Sequence, residues 1–396
     1  MDIFDIAIIG AGPSGCAAAL TLAQSGCRVA LFEKEIFPRP KICGDGVCDR
    51  SVNTLRAISQ QYYDEFMLFA EKREMDTTTL VYKNSRFVLN LKNFGYTCKR
   101  EIFDNFLFSL VQRHAPNISV FQQTAIRRIE KTETGFLLHD TQGNCFETQL
   151  LLIANGAKSQ IAQQLTGTPY SEKNTGVAVR AYYEGVSGCD EQSTVAERSR
   201  STVTERSRSI ELHYKKEYFP GYLWIFPMAN GVCNVGFGGA IGKLKTQQKN
   251  IQDIMHQWIA GDEELSKRFA DARMISPLQG GLIPYHSNSF NCSGTGFMIC
   301  GDAASLIDPI SGGGIGSAML SGRLAALQAI DCVKTQDFSE CATKKYENAL
   351  KKRIQREMKN RLRIQKAIIR FPFLLNVLSF VGKNQAIFNR IARWYN

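Results

Sequence analysis

The stretch DIAIIGAGPSG, Asp5 to Gly15, constrains this chain more than any other. Its apolar lead-in reads as a buried strand, PSGCAAALTLAQSG as a helix of small residues, and CRVALFEK as a second strand. That is a βαβ unit whose helix opens at glycines. Gly10 allows the tight turn, Gly12 lets backbone approach a pyrophosphate, and Gly15 lets helix and strand pack closely. Pro13 and Ser14 lie between them in the same candidate dinucleotide site. Glu33 closes the second strand 23 residues after Gly10, where a carboxylate accepts hydrogen bonds from a ribose 2′-hydroxyl. Such an acid argues against NADP here. Lys34, which follows it, joins the candidates.

A second loop decides which dinucleotide. In GFMICGDAASLIDPISGGGIGSAMLSG a strand ends at Cys300, Gly301-Asp302 turns, and Gly312, Gly313 and Gly314 precede a helix starting near Ile315. A helix start offers free N–H groups and a positive dipole to electron-rich oxygens. Asp302 adds an acceptor for a sugar hydroxyl. A nicotinamide dinucleotide needs no second anchor so far along the chain. FAD does, with one loop for its ADP end and another for the ribityl chain and ring, so the two loops imply FAD.

At 396 residues, 44% hydrophobic and 21% charged, the chain has room for two domains with cores of their own. No signal peptide is read at the amino terminus. The longest apolar run, from Phe371, falls short of a membrane span and contains Asn376. The cysteines lack metal-type spacing and read as reduced, which places the chain in the cytoplasm. The net charge of +11 belongs to the tail: Lys344 to Asn396 carries 14 Lys and Arg against Glu347 and Glu357. Basic residues there adjoin apolar ones and a terminal Trp394-Tyr395, a composition for peripheral binding at the inner face of an anionic membrane. A helical pair packed on the core with a solvated basic face is the equal alternative. No nucleic-acid module accompanies the charge.

The expected fold is α/β. A Rossmann-like FAD-binding domain comprises 1–75, 96–167 and 292–335. A sheet-rich substrate domain, antiparallel and inserted into it, comprises 76–95 and 168–291, with no helical period before residue 250. Residues 336–396 form a basic C-terminal helical region. A tandem octapeptide, STVAERSR then STVTERSR (Ser193 to Arg208), is too polar for a core and reads as an exposed lengthening of a hairpin tip.

In order, GAGPSG, ANGAKS and GDAA…DP…GGGIG resemble the three fingerprints of flavoproteins with the para-hydroxybenzoate hydroxylase fold, over roughly residues 1 to 330. The resemblance puts Asp302 on the ribityl chain and Arg100 near the flavin. Asn155 stands where the family usually carries Asp. YLWIFPMANGVCNVGFG, Tyr222 to Gly238, sets Tyr222, Trp224 and Phe226 on one face of a strand, with Gly236 and Gly238 leaving room on the returning one. In isolation such an aromatic slab is more often core than substrate wall. It is similar, however, to the motif of geranylgeranyl reductases, where it lines an isoprenoid channel. PRPKICGDG also resembles a segment of theirs that brings the residue at Cys43 close to the flavin. The resemblance implies an FAD-dependent oxidoreductase that saturates carbon-carbon double bonds of an isoprenoid or other lipid-like substrate, with NAD(P)H or another reductant as electron donor. Cys43, Tyr222, Trp224 and Phe226 are its candidate catalytic residues.

No metal site is expected, and His114, His139, His213, His256 and His286 read as structural. An oxygen-dependent monooxygenase acting on an aromatic or polyketide substrate is the main alternative on this fold. Tyr222 and Trp224 also faintly resemble flavin-dependent halogenases, without a placeable catalytic lysine. A flavin disulfide reductase using Cys43 and Cys48, or a non-enzymatic membrane-binding flavoprotein, is weaker still.

Overall fold

The computed structural model describes residues 2–168, 172, 175–189, 208–246, 250–285 and 292–376. Two sheets organise them. The first has parallel strands in the order Phe297–Ile299, Cys145–Ile153, Asp2–Ile9, Val29–Phe32, Ile118–Phe121. Val29 to Phe32 is buried throughout, the continuous apolar run of a strand covered on both faces. An antiparallel hairpin, Ile126–Lys131 with Phe136–Asp140, adds to the far side of Cys145–Ile153.

Small residues set how the first helix, Pro13–Leu22, packs. It has proline in its first turn, where no N–H bond is lost, and a run of alanines. A Cβ on Gly15 would lie 1.8 Å from the Gly10 carbonyl oxygen, and one on Gly322 would lie 2.0 Å from that of Ser14. The long helix Ile315–Thr335 therefore crosses the first helix at near backbone contact, beside the glycine loop.

The second sheet runs Arg273–Met274, Thr175–Glu184, Cys233–Ala240, Tyr222–Pro227, Ser209–Tyr214, Arg73–Tyr82, Ser85–Thr97, Gly46–Val47, with Gln279–Pro284 also paired to Thr175–Glu184. It is antiparallel except that Ser209–Tyr214 runs parallel to Arg73–Tyr82. This corrects one expectation: the sheet is mixed. The octapeptide repeat falls, but for Arg208, outside the described residues; the strands before and after it, Thr175–Glu184 and Ser209–Tyr214, stand apart in the sheet with two strands between them. A short helix, Ile241–Thr246, also begins before residue 250, directly off the end of a strand.

Cys189 and Cys233 are paired as a disulfide, with Cα atoms 6.7 Å apart. The expectation of reduced cysteines fails there because Tyr183 lies opposite Cys233 and the turn Val186–Cys189 folds back over it. The other ten cysteines are free.

The C-terminal region is helical as far as it is described: Glu340–Leu350, a π-helical turn Lys351–Gln355, then Arg356–Arg370. Residues 377–396, including Trp394 and Tyr395, lie outside the described residues. Arg361 pairs with Asp308 and Gln365 donates to the Pro309 carbonyl, while Ile368 packs with Tyr82 and Phe219. The last helix thus ties the loop before Gly312 to the second sheet. Among the described residues no helix is long and apolar enough to cross a membrane.

Candidate active site

The glycine loop and Glu33 meet as their spacing requires. Glu33, buried at the end of its strand, accepts from the Ala11 N–H at 3.0 Å. Gly10 holds φ at +102°, and a Cβ there would strike Ala154 and Asn155 of the middle fingerprint at 2.6–2.9 Å. The first helix starts at Gly12 with no side-chain cap, so its free N–H groups face the loop. Arg39 stands over them: its Nη2 would be 3.5 Å from a Cβ on Gly12, and its buried Nε makes no hydrogen bond among the described residues.

The second loop closes on the same place. The helix Ile315–Thr335 begins at Gly314, again without a side-chain cap. Gly301, at φ +61°, would bring a Cβ within 3.3 Å of that on Ser14, so the two loops meet at Ser14. Asp302 lies beside Gly314, and burial raises its carboxyl above the usual range. Two uncapped helix starts, the Arg39 guanidinium over the first of them and a sugar-accepting acid beside each loop fit a ligand with two phosphates and two polyol parts.

From Glu33 a buried chain of charge runs to the candidate wall. Arg39 lies 3.6 Å from Glu33 and 3.5 Å from Asp104. Asp104, wholly buried, takes Arg100 through two bonds of 2.6 and 2.8 Å. Burial works against the Arg100 charge, but Asp104 outweighs it and holds the guanidinium protonated. Arg100 also faces the Cys43 sulfur, as does the Asp45 backbone N–H; burial nonetheless pushes the Cys43 thiol up. Asp45 is fully buried at φ +65°. Its carboxylate accepts from Arg100 N (3.1 Å), the Tyr182 hydroxyl (2.6 Å) and Asn234 Nδ2 (2.7 Å). Asn234 also donates to the Cys43 carbonyl and accepts from Trp224 Nε1, each at 2.8 Å.

The aromatic face forms as its alternation requires. Tyr222, Trp224 and Phe226 follow one another at ring separations of 6.1 and 6.3 Å. At one end Phe226 and Trp224 rest on Gly44, where a Cβ would meet them at 3.2–3.7 Å. At the other, the Tyr222 hydroxyl donates to the Ser311 carbonyl, beside Gly312. The slab therefore spans from the Cys43 loop to the loop of Gly312 to Gly314. Contrary to expectation, Gly236 leaves no room for a ligand: a Cβ there would lie 2.2 Å from the Trp224 ring and 2.4 Å from the Val179 carbonyl oxygen. A cavity opens on this face, lined by Tyr222, Trp224, Gly238, Ile283, Tyr285 and Ile310.

Lys34 stands outside the buried set: it is exposed and pairs with Glu35 at 3.7 Å. Cys43 and Cys48 are separate free thiols. His114, His139 and His213 each sit against a glutamate, His256 is exposed, and His286 lies outside the described residues. No metal-binding group of His, Cys, Asp and Glu occurs among the described residues. Arg39, Asp45, Asp104, Tyr182 and Asn234 were not singled out in the sequence. For Asp45 the signal was present, an acid between two glycines in CGDG.

A dinucleotide that reaches from the Glu33 loop to the Gly312–Gly314 loop is FAD, so the class is that of the FAD-dependent oxidoreductases. Residues 4–190 match the family described as pyridine nucleotide-disulphide oxidoreductase, and residues 190–282 match the geranylgeranyl reductase catalytic domain. A digeranylgeranylglycerophospholipid reductase of Methanopyrus kandleri is 24% identical over 92% of this chain and 86% of its own length. A geranylgeranyl bacteriochlorophyll reductase-like protein of Thermoplasma acidophilum shares the fold at TM-score 0.79 and 21% identity, over 96% of this chain and 92% of that one. The fold also recurs in a flavin-dependent brominase, at TM-score 0.75 and 20% identity over 99% and 92%. Over most of its length the chain is thus similar to geranylgeranyl reductases.

Proposed function

We propose that this chain saturates carbon-carbon double bonds of an isoprenoid or other lipid-like substrate. One observation carries the proposal: the slab of Tyr222, Trp224 and Phe226 runs between the Cys43 loop and the second FAD loop, within and beside the segment that matches the reductase domain. Reduced flavin supplies hydride to one carbon of the double bond, and a proton completes the other. The chain's own residues position and exclude. The three rings, inclined to one another by 64° and 46°, give an apolar chain an aromatic wall to lie along, and Ile283 and Ile310 line the cavity beside it. Cys43 keeps its proton on Sγ at neutral pH, because burial raises its thiol. Tyr222 keeps its own on the hydroxyl for the same reason. Neither group then places a negative charge beside the apolar chain.

The role of each candidate site residue belongs to this proposal, as do the domain limits given above. So does peripheral binding of a membrane through the basic C-terminal region, from which a lipid-like substrate is delivered.

The test is anaerobic. The flavin is reduced and geranylgeranyl diphosphate, or a phospholipid with geranylgeranyl chains, is added. Return of the oxidised flavin spectrum together with a product heavier by two hydrogens supports the reading. Reoxidation only on admitting air, with oxygen found in an aromatic product, replaces it with the monooxygenase.

A further inference from the structure

We infer that Asp45 and Asn234 are a positioning pair that holds the Trp224 ring and the Cys43 loop in one fixed relation. The pair thereby sets where a chain-like substrate rests on the wall relative to the flavin side, so the inference rests on the reading above. Asn234 is 0% exposed and lies in the strand beside the wall, opposite Phe226 in register. Its amide is used completely across the gap: the oxygen takes the Trp224 indole N–H, and the nitrogen serves both Asp45 and the Cys43 carbonyl. Only an amide offers an acceptor for the indole together with donors for a carboxylate and a carbonyl. A core tryptophan needs one acceptor of any origin. Here that acceptor is tied to the loop of Cys43 and Asp45.

Asp45 makes the tie rigid. Aspartate takes the left-handed φ of +65° at modest cost, and here its carboxylate is held from every side. Arg100 N holds the carboxylate from the helix Arg100–His114, whose first turn has no side-chain cap from its own preceding residue. Tyr182 holds it from Thr175–Glu184, with Arg180 beneath the Tyr182 ring at 4.2 Å. Cys43 from the same loop and Cys98 from the end of Ser85–Thr97 complete the titratable groups facing it. Three separate segments thus donate to one carboxylate, and one of the donors, Asn234, passes that fixed point on to Trp224.

Asn234→Asp tests the pair with little change of volume. It sets a second carboxylate against Asp45, and two such groups at hydrogen-bond distance cannot both ionise. In the FAD-loaded variant, turnover of geranylgeranyl diphosphate should fall about tenfold at roughly pH 8 and recover towards roughly pH 5.5, a step the natural chain lacks. The exchange D45N/N234D again sets one acid against one amide and should remove the pH step, although the Cys43 carbonyl is left without its donor. The second readout needs no turnover. Alkylation of Cys43 by iodoacetamide, followed by peptide mass spectrometry, should acquire the same pH step in N234D and lose it in the exchange. If the substrate reading is wrong, only the first readout fails. If N234D does not fold, Trp224→Phe removes the indole donor alone and should speed Cys43 alkylation about threefold. The inference is overturned by an N234D enzyme with no pH step in Cys43 alkylation, by an exchange no better than the sum of its parts, or by W224F with unchanged alkylation.

Discussion

Gly12 and Gly15, three residues apart, are glycines for different reasons, and substitution separates them. A side chain at Gly15 meets the Gly10 carbonyl at 1.8 Å, so Gly15→Ala attacks the packing of helix on strand. One at Gly12 meets only Arg39 at 3.5 Å and otherwise enters the space proposed for the pyrophosphate. Gly12→Val should therefore yield soluble protein with the helical circular dichroism of the natural chain and no flavin absorbance, whereas G15A should yield little soluble protein. A yellow, fully loaded G12V would remove the first loop from the cofactor site. Gly236 makes a third case. A Cβ there overlaps the Trp224 ring at 2.2 Å and the Val179 carbonyl oxygen at 2.4 Å, so both the ring and the neighbouring strand must shift, the ring by about 1 Å. Gly236→Ala should retain FAD yet lose roughly 10- to 100-fold in kcat/KM for a geranylgeranyl substrate, since a misplacement of that size at a reacting surface costs that much. Equal loss of FAD and turnover would mean that Trp224 is core and nothing more.

Among elements, the second sheet depends on one buried acid. Glu211, in Ser209–Tyr214, is 1% exposed and meets Arg268 at 2.9 Å, Arg86 at 3.2 Å and His213 at 3.3 Å. Burial works to raise its pKa, but the His213 hydrogen bond and the charges of Arg268, His213 and Arg86 more than reverse this and hold it well below the usual carboxylate range. Glu211→Gln leaves Arg268 buried without its anion, while Arg86 keeps Glu264, and should cost about 3–5 kcal/mol in urea unfolding at neutral pH. Because the folded pKa is depressed, this stabilisation is fully present above the unfolded value of about 4.3 and fades as pH falls below it. The gap between the natural chain and E211Q should accordingly narrow in acid; a constant gap would mean that Glu211 acts by packing rather than by charge. The same element shows where sequence reading stopped. The parallel half was legible because its signals are local: a strand, glycines at fixed offsets and an acid at the next strand end. The aromatic alternation of Tyr222, Trp224 and Phe226 was local too. The parallel pairing of Ser209–Tyr214 with Arg73–Tyr82 joins segments far apart in the chain and leaves no periodic trace. The Cys189–Cys233 pair, 44 residues apart, leaves none either. Asn234 lies inside a quoted motif, yet a polar residue in an apolar strand shows no partner until the sheet is folded.

On the scale of the whole molecule the charge has one address. The chain before Lys344 is close to neutral, and the surplus begins with the C-terminal helices. In the last of them Met358, Gln365 and Ile368 turn inward, continuing a stripe from Ile354. Lys352, Arg356, Lys359 and Arg363 follow at helical spacing on the other side, around a surface hollow, and none meets a carboxylate among the described residues. Exposed Ile369, Phe371 and Phe373 come next. Cations followed by exposed apolar side chains suit an anionic bilayer better than free solution. The inward stripe matters as much, because Arg361 and Gln365 grip Asp308 and Pro309 beside the cavity, so the proposed membrane contact would be joined to the cavity through one helix. Each cation at such a surface contributes about 1 kcal/mol. Replacing Lys352, Arg356, Lys359 and Arg363 together with glutamine should then weaken co-sedimentation with phosphatidylglycerol vesicles by about a thousandfold, from roughly 4 kcal/mol. FAD content should not change, since none of the four approaches the two FAD loops. Raising salt from about 0.05 M to 0.5 M should weaken the natural chain's binding in the same direction, as screening shortens the reach of surface charge. Equal binding of the natural chain to neutral phosphatidylcholine vesicles, or of the fourfold variant to anionic ones, would reduce the stripe to a solvated helix face and leave lipid delivery without a route through this helix.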